Sequence, residues 1–357
     1  MNPFWSPLVG RLSPYVPGEQ PQIDGLIKLN TNENPYPPSP RVIEAIRAVL
    51  EADGDRLRLY PDPQSLSLRQ AAGRLHGTPI DHVFAGNGSD EVLAFVFQGL
   101  LHHDRPLVFP DITYSFYPSY CRLYGIPHAT FNITDAFEID LSLVAADVGA
   151  VIFPNPNAPT GRALSRDRIE QFLRDRPTTL VVVDEAYVDF GAQSCVPLVR
   201  EHPNLLVTQS LSKSRALAGM RVGLAFGQPG LIEALVRIKD SFNSYPIDRL
   251  ASAAGAAALE DMAWFSENCR KIVANRDWLT GALQDHGFQV LPSMANFVFV
   301  RHPRVQATGL AAGLRARKIL VRHFDKPRIR EWLRITVGTR EQCEALADAV
   351  AALTSIL

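Results

Sequence analysis

Two kinds of apolar spacing alternate along the chain. Between Arg105 and Ser212, short continuous runs of β-branched and aromatic residues recur in "RPLVFP", "GAVIFPNPNAPTG", "TTLVVVDEAY" and "NLLVTQSLSK", each ending in Pro, Gly, Asp or Ser. Such runs predict strands buried on both faces of a parallel sheet. Around them lie segments with helical spacing, among them "PRVIEAIRAVL" and "SRDRIEQFLRDR", which predict amphipathic helices. "RVGLAFG" follows "NLLVTQSLSK" closely and predicts a strand antiparallel to some of its neighbours.

The pattern changes after Asp248. "RLASAAGAAALED" reads as a small-residue helix, continued by "ENCRKIVANRDWLTGALQDHG"; "ANFVFVR", "KILVRHF" and "EWLRITVG" read as strands of a smaller α/β unit. The first forty residues, proline-rich to "NTNENPYPPSP", predict an extended arm. The expected fold is therefore α/β, a large doubly wound, mostly parallel sheet domain with a smaller α/β domain. Residues 1–40 form an arm belonging to the small domain, 41–248 the large domain and 249–357 the small domain. In such sheets the loops after the strands' carboxyl ends carry the ligand site, and "NPNAPTG", "DEAY" and "SLSK" all occupy that position.

Composition narrows the class. With 36 Lys and Arg against 37 Asp and Glu, the formal net charge is −1, which gives no reason to expect nucleic acid or a membrane surface as partner. Cys121, Cys195, Cys269 and Cys343 are widely spaced, with no CxxC pair, so neither a metal site nor a disulfide framework is expected. No signal-peptide pattern and no apolar stretch near ~20 residues is present; the expected setting is the cytoplasm.

The candidate chemistry sits in the loops. In "AGNGSDEV", Gly86 and Gly88 permit a tight turn, and Ser89, Asp90 and Glu91 open a helix, an arrangement that suits a phosphate or an ordinary N-cap. Asp184 ends a buried run, where a carboxylate needs a cationic partner. Lys213 lies between two serines in a chain that otherwise favours arginine; an amine can become neutral and attack a carbonyl, and a guanidinium cannot. Phosphate cradle, buried aspartate and isolated lysine, in that order, match the needs of pyridoxal 5'-phosphate. Arg221, Ser210 and Ser212 would complete the phosphate site, and Tyr114 could stack on the cofactor ring.

Eight stretches, "KLNTNENPYPPSP", "YPDPQ", "GNGSDE", "TYSFY", "PNAPTG", "DEAYVDF", "SLSK...LAGMRVG" and "LRITVGT", resemble in content and order the fold-type I pyridoxal-phosphate enzymes, and within them the histidinol-phosphate aminotransferase family. The resemblance implies that Lys213 bonds the cofactor, Asp184 faces its ring nitrogen and Tyr187 its phenolic oxygen. It places Ser89, Asp90, Ser210, Ser212 and Arg221 around the phosphate, Asp90 through its backbone amide. Tyr60 matches a tyrosine that reaches the neighbouring subunit's phosphate, which implies a homodimer. Arg334 matches the arginine that grips the amino acid's α-carboxylate, and Arg322, Tyr15, Asn32 and Tyr245 map to the substrate pocket, with Arg322 reading a distal anion. One position departs: the family often has asparagine before "PTG", and this chain has Ala158. Asn157 then becomes the candidate for the cofactor oxygen, and Asn155 shapes the turn.

The implied activity is transamination of L-histidinol phosphate with 2-oxoglutarate, in histidine biosynthesis. Aromatic or phenylalanine aminotransferases and threonine-phosphate decarboxylase share much of the pattern and form the alternative. A regulator borrowing this fold would carry an added DNA-binding segment, and no basic helix-turn-helix stretch or long linker is seen.

Overall fold

A computed structural model describes residues 2–354. The arm carries α1 (Pro7–Arg11) and β1 (Ile27–Lys28). Next come α2 (Pro40–Val49), α3 (Leu66–His76), β2 (Val83–Asn87), α4 (Gly88–Leu100), β3 (Leu107–Pro110), α5 (Tyr117–Tyr124) and β4 (His128–Phe131). They are followed by β5 (Ala150–Pro154), α6 (Arg166–Asp175), β6 (Leu180–Asp184), β7 (Leu205–Ser210), β8 (Val222–Gly227), α7 (Pro229–Phe242) and α8 (Arg249–Glu260). The last third holds α9 (Met262–Asp285), β9 (Gln289–Val290), β10 (Phe297–Arg301), α10 (Ala307–Ala316), β11 (Ile319–Leu320), β12 (Arg322–His323), β13 (Leu333–Thr336) and α11 (Arg340–Thr354).

Among the described residues the large sheet has seven strands, ordered β2-β8-β7-β6-β5-β3-β4. Strands β4, β3, β5, β6 and β7 are mutually parallel. β8 runs antiparallel to both β7 and β2, because the link from Ser210 to Val222 is too short for a crossover. Every residue of β5 is buried, as are four of five in β6, which accounts for their uninterrupted apolar runs. The carboxyl ends of β5, β6 and β7 open together on one edge, at Pro154, Asp184 and Ser210.

The second unit is a four-stranded sheet ordered β12-β13-β10-β9, antiparallel throughout. Its core gathers Ile272 and Leu279 of α9, Phe297 of β10, Leu310 of α10 and Leu346 of α11. β1 pairs parallel with β11 and Leu29 enters that core, so the arm is stitched to this unit. The run "KILVRHF" forms two short strands, split at Val321, each pairing with a different sheet.

The change of core falls later than the composition shift. Ala251, Ala254, Ala258 and Leu259 of α8 share a core with Val42 of α2 and Leu68 and Ala72 of α3. Small residues let α8 lie close against both helices, so Asp248 caps a helix of the first unit through its carboxylate and Ala251 N–H. No described helix is long and apolar enough to cross a membrane.

Candidate active site

One cavity of about 490 Å³ opens where the two units and the arm meet. On the α4 side it is lined by Ser89, Asp90, Ser210, Ser212 and Arg221. Gly88 has φ +78, and a Cβ there would lie 2.5 Å from Arg221 Nη2. A Cβ on Gly223 would lie 2.4 Å from the Gly88 carbonyl carbon and 2.5 Å from Ser89 N. Gly88 needs glycine for its positive φ, and Gly223 because the backbone it faces cannot retreat as a flexible side chain can. Gly223→Ala is therefore expected to cost about 1–3 kcal/mol of stability and to loosen cofactor retention. Thermal unfolding and dialysis of the holoenzyme check both; Gly230→Ala, with nothing within 4 Å, is the control.

The start of α4 has no side-chain cap, because the Asn87 amide donates to Pro246 O at 2.8 Å instead. Glu91 does not line the cavity: its carboxylate accepts from Asn87 N–H at 2.6 Å. It braces the turn, contrary to its expected place on the cofactor. Asp90 points its carboxylate at Arg221 Nη2, 3.0 Å away, and accepts from Tyr114 Oη at 3.0 Å. The acid thus steadies the arginine and the tyrosine beside an uncapped helix start, where backbone N–H groups favour an anion.

Asp184, 4% exposed, ends β6 at the cavity wall. It accepts from Tyr117 Oη at 3.1 Å, Ala186 N–H at 3.3 Å and Thr208 Oγ1 at 3.4 Å. Burial nonetheless pushes its carboxyl up to about 6, and no cation pairs with it among the described residues. Lys213 Nζ donates to Thr31 O at 3.2 Å. Burial, and then the charge of Arg334, bring this amine down to about 8. Tyr114 and Tyr187 line the same cavity; Tyr187 Oη accepts from Asn32 Nδ2 at 2.9 Å, and burial raises its phenol.

On the small-unit side stand Tyr15, Asn32, Arg322 and Arg334. The β12–β13 register sets Arg322 directly opposite Arg334, a pairing of like charges that costs stability unless an anion sits between them. Among the described residues neither arginine has an acidic partner, and Arg334 Nε is shielded with no hydrogen bond.

Besides Glu91, three expected residues lie elsewhere. Asn157 is fully buried but its amide donates to Ile112 O and Thr160 Oγ1, both at 3.1 Å; Ala158 and Pro159 face the cavity in its stead. Holding the loop to β3's exit turns its side chain away. Tyr60 and Tyr245 stack on each other at the surface, ring centroids 4.7 Å apart, outside this chain's own cavity. Reading the sequence missed Thr31, Asn30 and Tyr117, which hold the lysine, Arg334 and Asp184. Thr31 and Asn30 act through backbone carbonyls, which no residue type announces, whereas the aromatic cluster "TYSFYPSY" was a signal available for Tyr117.

These donors fit pyridoxal phosphate: an uncapped helix start with three serine hydroxyls and Arg221, an unpaired buried carboxylate, and an amine of lowered basicity.

The pattern of the aminotransferase class I and II family matches residues 24–350. Histidinol-phosphate aminotransferase 1 of Bradyrhizobium diazoefficiens is 60% identical over 350 residues, 98% of this chain and 99% of its own. That of Pseudomonas fluorescens is 56% identical over 353 residues, 99% of this chain and 100% of its own. Among solved structures, histidinol-phosphate aminotransferase from Sinorhizobium meliloti in complex with pyridoxal-5'-phosphate superposes with a TM-score of 0.90 at 26% identity, covering 100% of this chain and 99% of that one.

Proposed function

The chain belongs to the aminotransferase class I and II family, and from that membership we propose that it moves the amino group of L-histidinol phosphate to 2-oxoglutarate. The products are imidazole acetol phosphate and L-glutamate, in histidine biosynthesis, with pyridoxal 5'-phosphate as cofactor. The observation that carries the substrate class is the pair Arg322 and Arg334, opposed across two strands with no acidic partner among the described residues. Two cationic points beside one lysine suit an anionic amine donor and a dicarboxylic acceptor.

When bound, the cofactor supplies an aldehyde for the substrate amine and an electron-poor ring that stabilises negative charge at the amine-bearing carbon. Asp184 would keep a proton on the ring nitrogen, since a buried carboxylate with no cation beside it among the described residues favours the charged ring. Ser89, Ser210, Ser212, Arg221 and the first N–H groups of α4 would hold the phosphate, Tyr114 would pack on the ring, and Tyr187 would serve the ring oxygen. Lys213 Nζ takes the proton from the substrate's amine-bearing carbon and returns it within the site. Its pKa of about 8 leaves a neutral fraction near physiological pH. Tyr15 and Asn32 close the substrate side with the two arginines.

The working unit we propose is a homodimer. Tyr60 is 78% exposed, close in the chain to exposed Leu57 and Leu59, and belongs at the partner's phosphate. Tyr245, stacked on it, travels with it, so both serve the second copy's cavity. Mixing Lys213→Ala with Tyr60→Ala protein is the check: a hybrid dimer contains one intact site. Activity should return to about a quarter of wild type after random exchange; no recovery would place Tyr60 in its own subunit's site. We place the enzyme in the cytoplasm, where its four buried, unpaired cysteines stay reduced.

The reaction is tested by supplying both substrates and measuring products. The reading requires glutamate in equal amount to histidinol phosphate consumed. Turnover only with phenylalanine or tyrosine would make the chain an aromatic aminotransferase, and carbon dioxide from threonine phosphate would make it a decarboxylase.

A further inference from the structure

Three consecutive arm residues touch three groups of the site. Asn30 O accepts from Arg334 Nη2 at 2.9 Å, Thr31 O from Lys213 Nζ at 3.2 Å, and Asn32 Nδ2 donates to Tyr187 Oη at 2.9 Å. Asn32 is the most firmly held: it is 1% exposed and sits at φ 56, a conformation asparagine tolerates better than most residues. Its N–H donates to Thr336 Oγ1 at 3.0 Å, its Oδ1 accepts from the same hydroxyl at 3.1 Å, and its carbonyl accepts from Asn296 Nδ2 at 3.0 Å.

This network sets the direction of the Tyr187 hydroxyl. Because Oδ1 takes the Thr336 proton, the NH2 end of the amide must face Tyr187. The phenol oxygen is then an acceptor toward Asn32, and its own proton points away, into the cavity that Tyr187 lines. Ala158 and Pro159, which also line the cavity, carry no side-chain donor, and the Asn157 amide is spent on Ile112 and Thr160.

We propose that Asn32 is a positioning residue, which aims the Tyr187 O–H at the cofactor's ring oxygen and makes that tyrosine the single side-chain donor there. This rests on the assignment of Tyr187 to the ring oxygen made above. Asn32 thereby acts on the cofactor's electronics through Tyr187 as well as lining the cavity on the substrate side. Since Thr336 is on β13 with Arg334, the same residue ties the anion-binding strand to the tyrosine.

A donor at the ring oxygen stabilises its negative form, so weakening that donor raises the pH midpoint at which the bound cofactor's visible band changes. The charges facing Tyr187 are Arg334, Asp184 and Asp90, and the variants leave all three in place. The experiment is a spectrophotometric pH titration of holoenzyme for wild type, Tyr187→Phe, Asn32→Ala, Asn32→Gly and the double variant Asn32→Gly/Tyr187→Phe. Glycine relieves any strain that alanine meets at this φ, so one variant folds even where the other does not. Tyr187→Phe should raise the midpoint by about one unit and Asn32→Gly by about half that, the weight of one hydrogen bond to a charged oxygen. The double variant should match Tyr187→Phe alone, as required if Asn32 acts through the tyrosine. A wild-type midpoint in both Asn32 variants, with Tyr187→Phe shifted, would overturn the positioning role. An unshifted Tyr187→Phe would instead remove Tyr187 from the ring oxygen.

Discussion

Lys213→Ala should lose at least about four orders of magnitude in kcat while the protein keeps its fold and still takes up cofactor. The alanine removes the only amine among the lining residues, whereas the phosphate cradle at the start of α4, the end of β7 and the turn before β8 does not involve it. Small exogenous amines should restore part of the activity, since the vacated space lies in a cavity of about 490 Å³ and the missing step is a proton transfer. Single-turnover assays with and without added methylamine read this. Multiple turnover by Lys213→Ala without any added amine would remove the lysine from the role given to it.

Asp184→Asn should have effects of opposite sign on activity and on stability. Activity is expected to fall about 10²–10³-fold, the usual weight of one preorganised electrostatic group. The apoprotein, by contrast, should become more stable at pH 7.5. The sign follows from the carboxyl being raised to about 6 in the folded chain from 3.8. A group raised on folding contributes stability below its unfolded pKa and loses it as pH rises through the folded value. Above about 6 the apoprotein therefore holds an unpaired buried carboxylate, which asparagine replaces with a neutral group. Tyr117, able to accept as well as donate, can face the new amide. Thermal melts of apoprotein should separate at pH 7.5 and converge near pH 4. With cofactor bound, wild type should regain the advantage through the ion pair. Identical apoprotein melts at both pH values would mean that Asp184 carries no such burden.

Much of this arrangement was legible in the residues because burial on both faces leaves a plain mark. The continuous runs in β5, β6 and β7 announced a parallel sheet, and the polar residues just after them marked its ligand edge. What stayed hidden depends on direction and contact, which residue type does not encode. Asn157 and Ala158 are neighbours, yet only the alanine faces the cavity, because the asparagine amide has backbone and hydroxyl partners to satisfy. Glu91 looked like part of an anion site and instead braces the turn into α4. The alanine-rich α8 read as the opening of the second unit, but small side chains permit close packing on whichever helix is near, here α2 and α3. The opposition of Arg322 and Arg334 depends on strand register, set by a pairing twelve residues apart in the chain that no local pattern reveals.

The most direct test of the central claim is an absorbance titration of the holoenzyme with L-histidinol phosphate and no keto acid. The visible band of the bound aldehyde cofactor should give way to the shorter-wavelength band of its amine form, and 2-oxoglutarate should restore it. A visible band unmoved by saturating histidinol phosphate would contradict the assignment, whatever the fate of the fold and cofactor.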